Sequence, residues 1–126
     1  MSTRVKRVEE SMIHALRELL LFEVGDPRLT GVFITAVNMT SDLRLAHVNY
    51  ILEDTAQPTH DRDPKREIEA MKGLKKVSPY LRRKLAEKIL LKYSPDIQFH
   101  YDEGYEKGLH IERLLHEIET EEDSTP

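Results

Sequence analysis

The sequence predicts a small α+β domain in the order helix, strand, strand, helix, helix, strand, helix. Three observations predict this class. Helical and strand periodicities follow one another along the chain, a run rich in β-branched and aromatic residues is followed by an alternating one, and proline or glycine marks most element ends. The 126 residues fit one domain, which is large enough to form a core without a disulfide or a structural metal. The absence of cysteine excludes disulfide frameworks, thiolate metal sites and cysteine nucleophiles.

The first element is a long amphipathic helix, predicted over residues 3–24. Gly25 can end it in the left-handed conformation, and Pro27 cannot continue it. Its apolar residues recur at spacings of three and four, which places them on one stripe: Val5, Val8, Met12, Leu16 and Leu19. No apolar run in the chain is long enough to span a bilayer, and none resembles a signal peptide. We therefore expect a cytoplasmic protein without a membrane partner.

Two strands follow, Val32–Met39 and Leu45–Leu52. The first is rich in β-branched and aromatic residues, and the second alternates between apolar and polar side chains. Residues 40–43 form a short, turn-forming link, so the pair is predicted to be an antiparallel hairpin. Residues 53–62 are polar and indicate a loop.

The next helix begins at Asp63, with aspartate as N-cap and Pro64 at the first helical position. Ser78-Pro79 repeats that pattern in the middle of a helical stretch. Proline removes a backbone donor and clashes with the preceding turn. We therefore expect the helix to end or kink at Ser78 and a third helix to occupy residues 79–93.

A third strand is predicted over residues 97–101 and a last helix from Gly104 to Glu119. Residues 120–126 are acidic and lack apolar side chains, so we expect a domain of residues 1–119 followed by a disordered acidic tail. The resulting order α-β-β-α-α-β-α, with a kinked helix–helix junction, is that of a type II KH-like RNA-binding domain. The Gly-x-x-Gly loop of KH domains is absent, because no two glycines have that spacing.

Charge is distributed unevenly along the chain. The net charge of −4 argues at first against a polyanionic partner. However, residues 62–92 carry eleven basic and four acidic side chains, whereas residues 93–126 carry two basic and ten acidic ones. Because a polyanion responds to the local field, the basic block predicts a surface that contacts RNA.

Most candidate RNA-binding residues flank the predicted junction. Lys84, Lys88 and Lys92 are spaced to form one ridge of the third helix. A helix N-terminus at Ser78 would also favour phosphate. A charged face is often only solvated, but eight bases against one acid between residues 72 and 92 is more one-sided than solubility requires. The set comprises Lys72, Lys75, Lys76, Ser78, Arg82, Arg83, Lys84, Lys88 and Lys92.

Other candidate residues leave alternatives open. Arg4 and Arg7, with Lys6, form a smaller cluster that could contact RNA or be a solubilising terminus. Tyr80 could stack on a base or half-pack on the core. The six histidines lack metal-ligand spacing, and no catalytic glycine motif occurs. We therefore expect no metal, no cofactor, no small-molecule substrate and no enzymatic activity.

Five ordered fragments resemble the ribosome-binding factor A family. Together they extend in order from about Arg4 to Ile118, nearly the whole chain. They are Asp26-Pro27-Arg28-Leu29, the stretch 38–50 across the hairpin, Ser78-Pro79-Tyr80-Leu81-Arg82-Arg83-Lys84-Leu85, the stretch 94–103, and Gly108-Leu109-His110-Ile111 with Leu114-Leu115.

The resemblance implies a KH-type fold in which an Ala-x-Gly interruption replaces the Gly-x-x-Gly loop. Here the interruption would correspond to Val77-Ser78-Pro79, where both the alanine and the glycine are replaced. It also implies a monomeric factor without catalytic residues that binds the free, immature 30S subunit and its 16S rRNA. Such a factor supports late maturation and rRNA processing, notably in the cold. Two alternatives stay open: a protein-interaction adaptor that uses the first helix, and a small RNA-processing enzyme.

Overall fold

The computed structural model describes residues 3–53 and 63–124, so most of the predicted loop 53–62 lies outside the described residues. The α+β class is confirmed, and the two hairpin strands begin and end at the predicted residues. The main elements are α1 Thr3–Glu18, β1 Val32–Met39, β2 Leu45–Leu52, α2 Pro64–Ile89, β3 Asp96–Tyr101 and α3 Glu103–Ser124.

The strands form a three-stranded sheet with β2 in the centre. β2 is antiparallel to β1 and parallel to β3, and its Val48 pairs with Val37 in β1 and Phe99 in β3. Successive side chains of a strand point to opposite faces, so one face of β2 can be wholly apolar. That face is buried in the core against α1 and α2, through Ala46, Val48 and Tyr50.

The apolar stripe of α1 is buried within this chain. Met12, Leu16 and Leu19 are fully buried and share one cluster with the apolar residues of α2. α1 then passes into a π-helical turn at Leu19–Glu23, so the predicted helix over residues 3–24 is α-helical only to Glu18. Because the core already covers the stripe, it offers no docking surface for the adaptor that the sequence left open.

The two helices predicted on either side of Ser78 form one helix, so the predicted separate helix over residues 79–93 is wrong. α2 begins as predicted, since the Asp63 carboxylate accepts a hydrogen bond from the Lys65 N–H at 3.1 Å. It then continues through Ser78 with Pro79 in its interior. The cause is packing, because the residues buried before and after Pro79 fall on one helical stripe. They are Ala70, Leu74, Leu81 and Leu85.

The C-terminal end of α2 differs from the prediction as well. The helix stops at Ile89, where Leu90 adopts a left-handed conformation with φ 56° and caps it. Lys92, predicted to lie on the helix, therefore lies in the connection to β3. A left-handed cap on a leucine carries a steric cost that the sequence does not reveal.

α3 extends past its predicted end. It begins at Glu103, where the Asp102 carboxylate accepts a hydrogen bond from the Tyr105 N–H at 3.0 Å, and continues to Ser124. Residues 120–124, which the prediction assigns to the acidic tail, are the last residues of α3. Residues 125–126 of the predicted tail lie outside the described residues.

Candidate nucleic-acid interface

Four cations lie on one exposed face of α2. Lys65, Lys72, Lys76 and Arg83 are spaced by seven, four and seven residues, and all four are exposed. At 100° per residue these spacings keep them within about 40° of one another over about 27 Å of helix. We call these four residues the outer basic face. Of its members, the sequence missed only Lys65, whose spacing of seven from Lys72 was the available signal.

The continuity of α2 is what produces this alignment. A break at Ser78 would have set Arg83 at an angle to Lys72 and Lys76, whereas one helix keeps all three in phase. The reason for including Ser78 fails, because it is a half-buried residue in a helix interior and has no N-terminal N–H groups to offer.

The other predicted cations of α2 lie away from the outer basic face. Lys75 and Lys88 are exposed but are turned from its centre by about 80° and 140°. Lys84 is half-buried, and its Nζ lies 3.9 Å from the Glu87 carboxylate. Because α2 ends at Ile89, the predicted ridge keeps Lys84 and Lys88 but loses Lys92.

Arg82 turns inward and connects α2 to the start of β3. Its guanidinium donates to the Pro95 carbonyl at 2.9 Å and lies 3.0 Å from the Asp96 carboxylate. The Ser94 hydroxyl donates to the Arg82 carbonyl at 3.1 Å. These bonds occupy much of the planar fork of donors that an arginine would present to a phosphate. The structure therefore places Arg82 apart from the outer basic face.

Tyr80 is half-buried and packs against the core. Its hydroxyl donates to the Glu23 carboxylate at 3.0 Å, and this hydrogen bond raises the pKa of Tyr80. Arg83 and Lys84 lie 5.7 and 5.9 Å from the ring centroid. Of the two roles that the sequence left open for Tyr80, the structure favours packing.

A carboxylate borders the outer basic face. Asp26 accepts from the Arg28 side chain at 2.7 Å and from the Arg28 N–H at 2.9 Å. These hydrogen bonds lower the pKa of Asp26 to about 2, with a smaller contribution from the charge of Lys76. The Asp26–Arg28 pair shapes the turn Pro27–Leu29, which packs so closely on α2 that a Cβ at Gly73 would lie 2.9 Å from Leu29.

The two basic residues predicted at the start of α1 are exposed. Arg4 and Arg7 lie on its first two turns. The next turn is fixed to the sheet, because the Glu9 carboxylate accepts from the Met39 N–H at 2.7 Å. Arg4 and Arg7 therefore lie in the turns that precede the point at which α1 is bonded to the end of β1.

Arg44 and Lys92 meet on one aromatic ring. The Arg44 guanidinium lies 4.7 Å from the ring centroid of Tyr93, and the Lys92 Nζ lies 5.4 Å from it. All three side chains are exposed. Sequence reasoning missed Arg44 and Tyr93, because 49 residues separate them and only the pairing of β2 with β3 brings them together.

No metal centre is found among the described residues, where no three histidine, aspartate or glutamate side chains are grouped to hold an ion. Two histidines do meet across β2 and β3, with His47 Nδ1 3.0 Å from His100 Nε2. In residues 3–53 and 63–124 no helix is both long and apolar enough to cross a bilayer.

Sequence comparisons give a consistent result over nearly the whole chain. A family model described as ribosome-binding factor A matches residues 4–115. The curated protein of that name from Desulfosudis oleivorans is 36% identical to this chain, and the match covers 98% of this chain and 89% of the relative. For the protein from Coxiella burnetii strain RSA 331 the values are 38% identity, 98% of this chain and 100% of the relative.

Solved structures agree with the fold. The crystal structure of ribosome-binding factor A from Thermus thermophilus superposes with a TM-score of 0.60 at 21% identity, over 77% of this chain and 94% of that one. A solution structure from Thermotoga maritima, also at 21% identity, gives a TM-score of 0.55 over 80% of this chain and 85% of that one.

Proposed function

The chain belongs to the ribosome-binding factor A family, and we propose that it is an assembly factor that binds the immature 30S ribosomal subunit through 16S rRNA. It would act late in small-subunit maturation, support rRNA processing and matter most in the cold. We propose a monomer of the cytoplasm that has no catalytic role of its own.

The outer basic face is the observation that carries this proposal. Binding to rRNA requires several cations on one surface, because each phosphate that is neutralised releases condensed counterions. The outer basic face offers four such cations on one continuous helix. Its Lys72 lies 3.5 Å from the Glu69 carboxylate, but this ion pair is exposed and therefore weak. Within about 20° of its centre this face carries cations only, and the exposed carboxylates of Glu69 and Glu87 lie about 40° from the centre.

The contact residues follow from where each side chain lies. We propose Lys72, Lys76 and Arg83 as the principal phosphate contacts, with Lys65 added. In this proposal Arg82 and Ser78 have structural roles in α2 and its connection to β3, and Tyr80 packs beside the phosphate contacts. Cations at the margin of the surface would add long-range attraction. These are Arg4, Arg7, Lys75, Lys84, Lys88 and Lys92.

The proposal includes a division of the chain into one KH-like domain and an acidic tail. We propose that residues 1–119 form a type II KH-like domain in which Val77-Ser78-Pro79 stands where the family has its interruption. The acidic residues 120–126 would repel rRNA and so orient the domain with α2 toward it. The adaptor alternative loses its support, because the stripe of α1 that it requires is buried.

Sedimentation of the protein with purified immature small subunits tests the proposal. We expect wild type in the small-subunit fraction at 50 mM salt, with on the order of a hundredfold weaker binding at 200 mM for about four phosphate contacts. The variant Lys72→Glu, Lys76→Glu, Arg83→Glu should leave that fraction. The matched control Lys107→Glu, Arg113→Glu reverses two exposed cations of α3 and should remain. Binding that is indifferent to salt and to the α2 variant would overturn the proposal.

A further inference from the structure

The arrangement of Arg44, Lys92 and Tyr93 has the composition of a site for an unpaired base. Tyr93 is 49% exposed. Both cations lie within the range of about 6 Å at which a charge is attracted to an aromatic ring. Aromatic rings beside arginine or lysine are the surfaces on which proteins stack single-stranded bases.

The backbone that follows Tyr93 is held in place. Arg82 fixes the carbonyls of Ser94 and Pro95, and the Pro95 side chain is fully buried. The Asp96 N–H donates to the Arg44 carbonyl at 2.8 Å, which ties the start of β2 to the start of β3. The two segments that supply Arg44 and Tyr93 are therefore joined through the backbone, so these residues are neighbours before a base binds.

The backbone around the site is strained. Leu43 and Leu90 are the non-glycine residues with positive φ in the described chain, at 60° and 56°. Leu43 immediately precedes Arg44, and Leu90 lies two residues before Lys92. Left-handed conformations are costly for leucine and persist where the surrounding structure imposes them, often at binding sites. Here each one sets the direction of a segment that contributes a cation.

We propose that Tyr93, Arg44 and Lys92 form a second RNA site, separate from the outer basic face, that captures an unpaired base of single-stranded rRNA. The base stacks on the Tyr93 ring, and Arg44 and Lys92 move from the ring to the flanking phosphates. The inference rests on the proposed function and adds to it a preference for single strands. A row of cations alone gives no such preference, whereas a paired base cannot reach an aromatic side chain.

Fluorescence of a short single-stranded RNA that carries 2-aminopurine tests the site. Stacking on Tyr93 should quench the probe. Tyr93→Leu should abolish the quench and weaken single-strand binding roughly 5- to 150-fold. Tyr93→Phe should keep both, because the ring remains. Tyr105→Leu, which removes another exposed tyrosine, is the matched control and should bind as wild type. The affinity for duplex RNA should be the same in all four proteins.

A second variant tests the site independently in case Tyr93→Leu fails to fold. Arg44→Gln removes one phosphate contact and should lower the salt slope of single-strand binding by about 0.7. The inference fails if both variants bind single strands as wild type does, or if they alter binding to intact subunits but not to RNA, which would indicate a protein partner. If the wild-type protein binds no RNA at all, the proposed function itself is contradicted.

Discussion

Arg82 and Arg83 are adjacent in α2 and have opposite surroundings. The guanidinium of Arg82 is bonded to the chain that leads into β3, whereas Arg83 is exposed on the outer basic face. Both residues had the same prediction, since neighbouring arginines in a basic block look alike. Which one turns inward depends on where Ser94 and Pro95 lie in space, and sequence spacing does not contain that position.

This pair permits a matched prediction. Arg82→Met should lower the free energy of unfolding by about 1 kcal/mol, because it leaves the Pro95 carbonyl without its donor. Arg83→Met should leave stability within about 0.5 kcal/mol and weaken RNA binding instead. Urea unfolding and RNA titration measure the two effects. The opposite pattern would show that the roles of the two residues have been exchanged.

Asp26 gives stability a dependence on pH. Its pKa in the folded chain is lowered to about 2 from the ordinary 3.8, mainly by the hydrogen bond from the Arg28 side chain. The ionised carboxylate therefore stabilises the fold fully above about pH 4, and this contribution disappears as pH falls through 2. Asp26→Asn should be less stable than wild type at pH 6, with a difference that shrinks between pH 4 and pH 2. A difference that stays constant over this range would contradict the assignment.

The start of α2 could be predicted from the sequence, whereas its continuation through Pro79 could not. Its start and both hairpin strands were predictable, because the N-cap with its proline and the β-branched runs are local signals. Its continuity through Pro79 was not. The local rule predicts a break, but the core contacts of Leu74 on one side and Leu81 on the other hold one helix together. Tertiary packing overrides the propensity of a single residue.

Pro79→Ala tests that interpretation of α2. The substitution restores an N–H toward the Lys75 carbonyl within a helix that already continues through this exposed position. We expect a gain in the free energy of unfolding of up to about 3 kcal/mol. Thermal unfolding measures it, with Pro64→Ala as a control at the first helical position, where no internal hydrogen bond is gained. A loss of stability in Pro79→Ala would indicate that the fold depends on an interruption at this point.

α3 shows the reverse case, in which the periodicity predicted the helix correctly but did not predict its exposure. Its apolar residues have helical spacing, yet Ile111, Leu114, Leu115 and Ile118 are all about half exposed. A spacing pattern reports which side chains share a face, and it does not report whether another element covers that face. Coverage is decided by the path of the whole chain.

The whole molecule is electrically polarised, and this was the most informative property of the sequence. Most of the basic block lies in α2, where four of its cations share the outer basic face, and most of the acidic block lies in α3. The charge count predicted that a basic surface exists, but not which cations share it, because that depends on helical phase across Ser78. Lys72, Lys76 and Arg83 are in phase only because α2 is continuous.

The dependence of rRNA affinity on salt tests the outer basic face most directly. On a plot of log affinity against log salt concentration, replacing Lys72, Lys76 and Arg83 with glutamine should reduce the slope by about 2 to 3, close to 0.7–0.9 for each lost phosphate contact. Glutamine at the exposed Lys107 and Arg113 of α3 should leave the slope unchanged. A slope that stays at the wild-type value after the three α2 substitutions would contradict the role of this face in binding rRNA.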